Sequence, residues 1–175
     1  MFTPAQLPIR SEPTCGTEQV MVLMAQAVPS AAAVPCVASL PAGWSSGGAS
    51  IRRGDARFWL DSDVAGDGAV EVRLRGPSAC DLEDAVEVPT DELSWRRYER
   101  PERLPPGLVA TRVYVADGAC VTYEFDFDGE VGASAMITLD AALGFQPRGE
   151  LVDAVERRSG LVLCGSGAPP CREDG

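Results

Sequence analysis

The chain has 175 residues, of which 45% are hydrophobic and 23% charged, and its formal net charge is -11 with a pI near 4.4. This length fits one domain, and the composition excludes a wholly disordered chain and a membrane protein with several spans. Because the acidic balance repels nucleic acid and anionic lipid at long range, we predict no nucleic-acid partner.

The N-terminal part of the chain changes from a proline-punctuated tail to apolar segments. Residues 1–14 have the composition of a linker, and we predict one globular domain over residues 15–175. Residues 20–27 are apolar and fit either a buried strand or a helical turn. Ser30 fits a helix N-cap, which predicts a short helix over residues 31–39.

The middle of the chain alternates apolar and polar residues, which is the pattern of strands with one buried face. We predict a three-stranded meander over residues 50–52, 57–62 and 69–75. The short connection Arg53-Gly54-Asp55 spells an adhesion tripeptide, but Gly and Asp are also ordinary turn-forming residues. We therefore interpret it as the turn between the first two strands.

A hairpin is predicted over residues 111–127, because Asp117-Gly118 favours a tight turn. This turn places Tyr114 opposite Val121. The apolar face of the hairpin then continues through Tyr123, Phe125 and Phe127. The opposite face is predicted to be mostly exposed and carries Thr122, Glu124, Asp126 and Asp128.

The last third of the chain has the 3.6-residue period of helices. We predict one helix whose apolar side runs over residues 136–143 and which ends at Gly144, and a second around residues 151–155 that ends near Gly160. Residues 161–163 resemble a last short strand. The expected fold class is α+β: a single, disulfide-stabilised domain with a mainly antiparallel sheet packed against two C-terminal helices.

The six cysteines show no C-x-x-C spacing, and the chain has no histidine to complete a zinc site. Many pairings are possible. Proximity in sequence favours Cys15 with Cys36 and Cys164 with Cys171, which leaves Cys80 with Cys120. The alternative is six reduced thiols in a cytosolic protein, whereas oxidised cysteines indicate an extracytoplasmic protein, secreted or membrane-anchored.

An exported chain needs a signal or an anchor. Residues 1–14 contain no basic segment followed by an apolar run, and Gln26 and Pro29 interrupt the apolar stretch that begins at Val20. We therefore expect the export signal or anchor to lie upstream of Met1. We predict that the protein contacts a membrane only through such an upstream anchor.

All basic residues are arginine, and the chain contains neither histidine nor lysine. This removes the commonest general base and every amine that forms a Schiff base. Residues 43–47 (GWSSG) have the spacing of a serine-nucleophile motif, but a Ser-His-Asp triad cannot form without histidine. We predict no cofactor.

The acidic loop after the second meander strand is a candidate calcium site. Carboxylates that alternate before glycine can surround a cation, and the candidate ligands are Asp61, Asp63 and Asp67. An EF-hand is excluded, because Ala65 and Val72 occupy positions that require oxygen ligands. The alternative is a solvated hairpin loop that uses Asp and Gly for its turn.

One basic and aromatic segment stands out in this acidic chain, with five arginines and two glutamates between residues 93 and 112. Trp, Tyr and Arg are enriched in binding hot spots, which indicates a contact with a protein or an anionic glycan. The alternative is an edge strand whose arginines pair with acidic neighbours. The candidate contact residues are Trp95, Arg96, Arg97, Tyr98, Arg100 and Arg103.

Five segments of the chain carry a resemblance. They are CVASLPAGW from residue 36, RFWLDSDVAG from residue 57, RRYE from residue 96, GACVTYEFDF from residue 118, and LGF from residue 143. Together they resemble a group of uncharacterised exported or membrane-anchored proteins of high-GC actinobacteria, over most of the chain. The resemblance implies export and an upstream anchor, and it supplies no catalytic residues.

Two functions from different classes follow. The first is a non-catalytic extracytoplasmic module that binds a protein or a cell-envelope component through the basic segment. The second is a hydrolase of an envelope glycan that uses paired carboxylates, the chemistry open to a chain without histidine. The sequence favours the binding module over an enzyme.

Overall fold

The computed structural model describes residues 19–91, 95–104, 107–129, 132–161, 163–165 and 171. These residues form three α-helices, nine strands and a short 3-10 helix at Pro77–Ala79. The helices are α1 (Gln19–Ala27), α2 (Gly132–Asp140) and α3 (Arg148–Ser159). The strands are β1 (Ala33–Val37), β2 (Trp44–Arg52), β3 (Asp55–Ser62), β4 (Gly66–Arg75), β5 (Val86–Val88), β6 (Arg96–Arg103), β7 (Leu108–Ala116), β8 (Ala119–Phe127) and β9 (Leu143–Pro147).

Seven strands form one antiparallel sheet in the order β2-β3-β4-β8-β7-β6-β5, and β1 pairs with β9 in a separate antiparallel sheet. The predicted meander corresponds to β2, β3 and β4, and Arg53 and Gly54 form the turn between the first two. The predicted hairpin corresponds to β7 and β8. An α+β fold with a mainly antiparallel sheet is therefore confirmed.

The β7–β8 hairpin has the predicted register, with Tyr114 opposite Val121. Its turn contains Gly118 at a φ of 69°, where a Cβ atom would collide with the carbonyl oxygen of Ser30. The Ser30 hydroxyl in turn donates a hydrogen bond of 2.6 Å to the carbonyl oxygen of Gly118. The hairpin turn therefore packs against the loop that follows α1, and only glycine fits there.

The core lies on one face of the seven-stranded sheet. Tyr123, Phe125 and Phe127 are buried there as predicted, and their rings follow one another along β8. Helix α1 contacts β1, β2 and β3, and α3 contacts β9 and α1. One buried cluster includes side chains of the sheet and of every helix, among them Met24, Val34, Leu139 and Leu151.

The opposite face of the sheet is called the outer face below. Glu124, Asp126 and Asp128 are exposed as predicted, but Thr122 is buried, which differs from the expectation. The segment after β4 accounts for this burial, because its 3-10 helix contacts β8. The disulfide Cys80–Cys120 fastens this segment to the strand.

The predicted helix over residues 31–39 is wrong, because residues 33–37 form β1 instead. Pro35 has no N–H to donate within a helix, whereas the strand pairs with β9 and buries Val34 completely. For residues 20–27, where strand and helix both fitted the sequence, the structure has helix α1.

The C-terminal boundaries also differ from the expectation. Helix α2 ends at Asp140, and residues 143–147, which include the end of the predicted helix, form β9. Helix α3 contains the predicted residues 151–155 and ends at Gly160, which has a left-handed C-cap conformation. The predicted last strand is wrong at Leu161 and Leu163, and Val162 lies outside the described residues.

Two of the predicted disulfides, Cys80–Cys120 and Cys164–Cys171, are confirmed. Cys36 is also disulfide-bonded, but Cys15 lies outside the described residues, so the pair Cys15–Cys36 stays a prediction. These bonds are compatible with an oxidising compartment. Among the described helices, none is long and apolar enough to cross a bilayer.

Asp55, the last residue of the adhesion tripeptide, is held by an ion pair at the start of β3. Arg73 donates two hydrogen bonds to its carboxylate, at 2.7 and 2.5 Å, from the neighbouring strand β4. The hydrogen bond from Arg73 lowers the pKa of Asp55 below its ordinary value. The Asp55 carboxylate therefore forms an ion pair between β3 and β4 and is not available in the turn.

We expect Asp55→Asn to lower the free energy of unfolding by at most about 1 kcal/mol near pH 7, because the pair is partly exposed. Since the pKa of Asp55 is lower in the folded state, its stabilisation is present above the pKa of the unfolded chain, about 3.9. It is lost as the pH falls through the folded-state pKa. Urea unfolding of both proteins from pH 7 to pH 2 should show the difference disappear in acid; a constant difference would contradict this.

Candidate functional site

Strand alternation divides the candidate contact segment into two halves. In the β6–β7 register Arg97 lies opposite Tyr114, which belongs to the core, whereas Tyr98 lies opposite Val113 on the outer face. Trp95 shares the core side with Arg97. Arg96 and Arg100 share the outer face with Tyr98.

Trp95 lies in the core, with 6% of its surface exposed. Its ring packs edge-on against Phe145 of β9, with centroids 4.3 Å apart, and against Tyr114 of β7. Phe145 also contacts Tyr123. This side chain therefore connects the small sheet to the large one, and it is not on the surface that a partner would meet.

Arg97 belongs to an ionic network at the edge of the core. Its guanidinium lies 2.5 Å from Glu99, which also accepts a hydrogen bond of 2.6 Å from Arg112. Arg112, 5% exposed, donates a further hydrogen bond to Asp140 at the end of α2. The network joins β6, β7 and α2, and Arg97 is already engaged within it.

The buried arginine of this network stays charged. Burial by itself lowers the pKa of Arg112, but the charge of Glu99 and the hydrogen bond to Asp140 outweigh burial and hold that pKa above its ordinary value. The Arg112 guanidinium also lies over the Phe125 ring. The charges of these groups compensate one another within the fold.

The outer half of the segment forms a surface that we call the arginine surface, consisting of Arg96, Tyr98, Arg100 and Arg103. Arg96 donates hydrogen bonds of 3.0 and 2.7 Å to Glu87 of β5 and lies over the Tyr98 ring. These hydrogen bonds lower the pKa of Glu87 below its ordinary value. Both side chains of this pair are about half exposed or more.

The other two arginines of this surface also have acidic neighbours. Arg100 donates a hydrogen bond of 2.8 Å to the carbonyl oxygen of Glu83 and lies 3.8 Å from Asp81. Arg103 lies 3.9 Å from Asp126, and both of these side chains are mostly exposed. These contacts match the alternative in which the arginines pair with acidic neighbours.

Two exposed apolar residues lie near strand β6 in the sheet or in the chain. Val86 of the edge strand β5 is 67% exposed, and Leu104, directly after β6, is 69% exposed. Neither was a candidate in the sequence, because the interpretation used only the aromatic and basic residues from Trp95 to Arg103. Val86 lies opposite Glu99, on the core side of the sheet, so it does not belong to the arginine surface.

The acidic loop has the geometry of a hairpin turn. The carboxylate of Asp61 accepts a hydrogen bond of 2.6 Å from the backbone N–H of Gly68, while Asp63 and Asp67 are exposed. In the part of the chain that the structure describes, no three acidic, cysteine or histidine side chains form a group that could hold a metal ion. The loop geometry matches the solvated-turn alternative.

A cavity of about 240 Å³ opens between α1, β1, β2 and β3. Its described lining is apolar apart from serine hydroxyls and includes Met21, Val37, Leu40, Ala49 and Phe58. None of these lining residues carries a carboxylate, so this cavity does not provide the acid pair that glycoside hydrolysis requires.

The described residues therefore combine an internally compensated ionic network with an exposed arginine surface on the opposite face of the same strand. The alternation of β6 was visible in the sequence and could have assigned Trp95 and Arg97 to one side. Comparisons of the chain with protein-family models, with curated proteins and with solved structures found no match.

Proposed function

We propose that the chain is a non-catalytic extracytoplasmic module, secreted or membrane-anchored, that binds a protein or cell-envelope partner through the arginine surface. The proposal includes a single domain whose helices pack on the core face of the sheet. Its support is the buried cluster that joins the helices to both sheets, together with the disulfides. Because the core packs on one face, Arg96 and Arg103 lie exposed on the outer side of β6.

The exposure of Arg96 and Arg103 is the observation that carries this proposal, whereas the Arg100 side chain is only 24% exposed. Exposed ion pairs such as Arg96–Glu87 and Arg103–Asp126 contribute little to stability, so their guanidinium groups can exchange one carboxylate for another. Arg112 cannot do so, because only 6% of its side chain is exposed, and Arg97 shares the Glu99 carboxylate with it. The surface that remains combines cationic groups and one tyrosine.

The partner that fits this surface carries carboxylates or other anionic groups. The rest of the molecule is strongly acidic, so an anionic partner is attracted to the arginine surface and repelled elsewhere. Such steering weakens as salt increases. Binding should therefore decrease as the ionic strength rises.

The double change Arg96→Glu with Arg103→Glu tests this function. We expect the melting temperature to shift by no more than about 2 °C, because both residues are exposed. We also expect the immobilised variant to lose the proteins or glycans that the wild-type chain captures from an envelope extract of the producing organism. Differential scanning calorimetry and mass spectrometry of the captured material measure the two results.

The control is Arg57→Glu, which changes an arginine on the outer face of β3 whose side chain is 42% exposed, against 63% for Arg96 and 57% for Arg103. This variant should retain capture. Unchanged capture by a folded Arg96→Glu, Arg103→Glu protein would exclude the arginine surface as the contact. Capture no greater than on blank resin by the wild type would contradict the binding function itself.

The hydrolase of an envelope glycan stays the second hypothesis from the sequence, and no contact among the described residues favours it. It requires two carboxylates roughly 5 to 10 Å apart in a cleft with aromatic walls. Release of reducing sugar from envelope glycan by the purified chain would support the hydrolase over the binding module.

A further inference from the structure

One cluster on the outer face holds more arginines than carboxylates, although the chain as a whole is acidic. It lies at the end of β2, β3 and β4 that is next to the β2–β3 turn, and we call it the turn cluster. Five arginines minus three carboxylates give it a formal charge of +2, in a chain whose net charge is -11. Its members are Arg52, Arg53, Asp55, Arg57, Glu71, Arg73, Arg75 and Glu124.

The strand register places these charges in adjacent rows. In the row nearest the turn, Asp55 lies between Arg52 of β2 and Arg75 of β4. In the next row, Arg57 lies directly opposite Arg73. Rows on one face are about 7 Å apart along a strand and neighbouring strands about 5 Å apart, so one small ligand can contact both rows. Like charges directly opposite each other destabilise a strand pair, so this second row requires anions nearby.

Carboxylates of the fold compensate the second row and the centre of the first. Arg73 donates two hydrogen bonds to Asp55, and Arg57 lies 3.3 Å from Glu71. The hydrogen bond from Arg73 lowers the pKa of Asp55, and the charges of Arg75 and Arg57 lower it further. Asp55 is therefore one carboxylate near three cations, and it accepts hydrogen bonds from Arg73 among them.

The remaining three arginines have no carboxylate of their own. Among the residues that the structure describes, Arg52, Arg53 and Arg75 form no ion pair. Arg52 and Arg53 are exposed, and Arg75 is partly exposed. The Nε atom of Arg75 is buried and has no hydrogen-bond acceptor. Buried donors without an acceptor are uncommon in folded proteins, and a bound ion that supplies the acceptor is one explanation.

The chemistry of these groups selects a small oxyanion. A guanidinium donates two parallel N–H bonds to two oxygens of one anion, and phosphate or sulfate has enough oxygens for more than one arginine. An anionic bilayer or a nucleic acid would also meet the acidic remainder of the chain, which repels it. A small oxyanion interacts mainly with charges within a Debye length, which is about 8 Å at physiological salt.

We propose that the turn cluster binds a small tetrahedral oxyanion, such as free phosphate or a soluble phosphate monoester, between Arg52 and Arg75. Arg53 adds a third donor from the turn. The Asp55 carboxylate between the two strands does not exclude the anion, because the two hydrogen bonds from Arg73 compensate its charge. This site is separate from the arginine surface and does not depend on it.

Titration of the oxidised, isotope-labelled chain with sodium phosphate at constant ionic strength tests the site. The NMR signals of the Arg52 and Arg75 Nε–H groups should shift and reach saturation. The corresponding signals of Arg96 and Arg103 should change much less. Sulfate should compete with phosphate, whereas chloride at the same ionic strength should not.

Two double variants remove donors from the site. Arg52→Gln with Arg75→Gln should weaken phosphate binding about tenfold or more, because it removes the donors on both sides of the anion. Arg52→Gln with Arg53→Gln changes only exposed side chains, so it should also weaken binding and can replace the first variant if that one does not fold.

The matched control is the Arg96→Glu, Arg103→Glu protein, which carries its changes on the arginine surface. It should bind phosphate as tightly as the wild type. Because this control should lose envelope capture and keep phosphate binding, failure of the turn cluster and failure of the proposed function give different results.

Three results would overturn the proposal. Shifts that increase linearly with phosphate and never saturate would show ionic screening alone. Equal phosphate affinity of the wild type and of a folded Arg52→Gln, Arg75→Gln protein would place the anion elsewhere. Sedimentation of the chain with phosphatidylglycerol vesicles, if that variant abolished it, would show that the cluster contacts a membrane surface rather than a small oxyanion.

Discussion

Replacement of Arg112 by methionine is expected to destabilise the fold by about 3 to 5 kcal/mol. Arg112 lies between Glu99 and Asp140 and has only 6% of its side chain exposed. Methionine fills much of the space but leaves the Glu99 carboxylate with Arg97 as its remaining cation in this network. Removal of one partner from a buried network leaves an imperfectly compensated charge, which costs more than the pair itself contributes.

Urea unfolding of the purified variant measures this loss. Arg57→Met is the matched control, because Arg57 pairs with Glu71 on the outer face and is 42% exposed in its side chain. This control should change the free energy of unfolding by less than about 0.5 kcal/mol. Similar values for the two variants would mean that the Arg112 network contributes no more than an exposed ion pair.

Removal of the Cys80–Cys120 disulfide is expected to cost about 4 kcal/mol. The bond closes a loop with a sequence separation of 40, and in the chain-entropy model a cross-link of this length strongly restricts the unfolded ensemble. It also fastens the segment after β4 over the outer face, where Val113 and Thr122 are buried. We therefore expect Cys80→Ala with Cys120→Ala to unfold at a much lower urea concentration.

Cys164→Ala with Cys171→Ala is the comparison, since its sequence separation is only 7. The same model assigns this shorter loop about 2.5 kcal/mol. The first double variant should therefore lose more stability than the second, by about 1.5 kcal/mol, in urea titrations under identical conditions. A larger loss from the C-terminal pair would show that contacts in the folded state, rather than loop closure, decide these stabilities.

The candidate site was only half predictable from the sequence. The alternative interpretation placed the basic segment on an edge strand, whereas β6 lies between β5 and β7. The composition alone did not divide Trp95 and Arg97 from Arg96 and Tyr98. The division follows from the core on one side of β6, which requires Phe145 from β9 and Asp140 from α2. Both partners come from elements whose positions the local pattern did not reveal.

The sequence by itself determined the local elements whose signals are short-range. Alternation predicted β3 and β4, the Asp117-Gly118 turn predicted the β7–β8 register, and the even cysteine count led to two observed disulfides. These features depend on residues close together in the chain or on covalent pairing. The local conformational preferences of these residues favour the same structure that the whole fold requires.

Only the tertiary structure decided the β1–β9 pairing and the burial of Arg112 and Arg148. Residues 33–37 had weak local preferences, and their conversion to a strand depends on a partner more than 100 residues away. An arginine can be buried only where hydrogen-bond acceptors from several segments surround its guanidinium. Arg148 is such a case, because the carbonyl oxygens of Ala25 and Cys164 accept its hydrogen bonds. Such compensation arises from the packing of distant segments, so no local window of the sequence contains it.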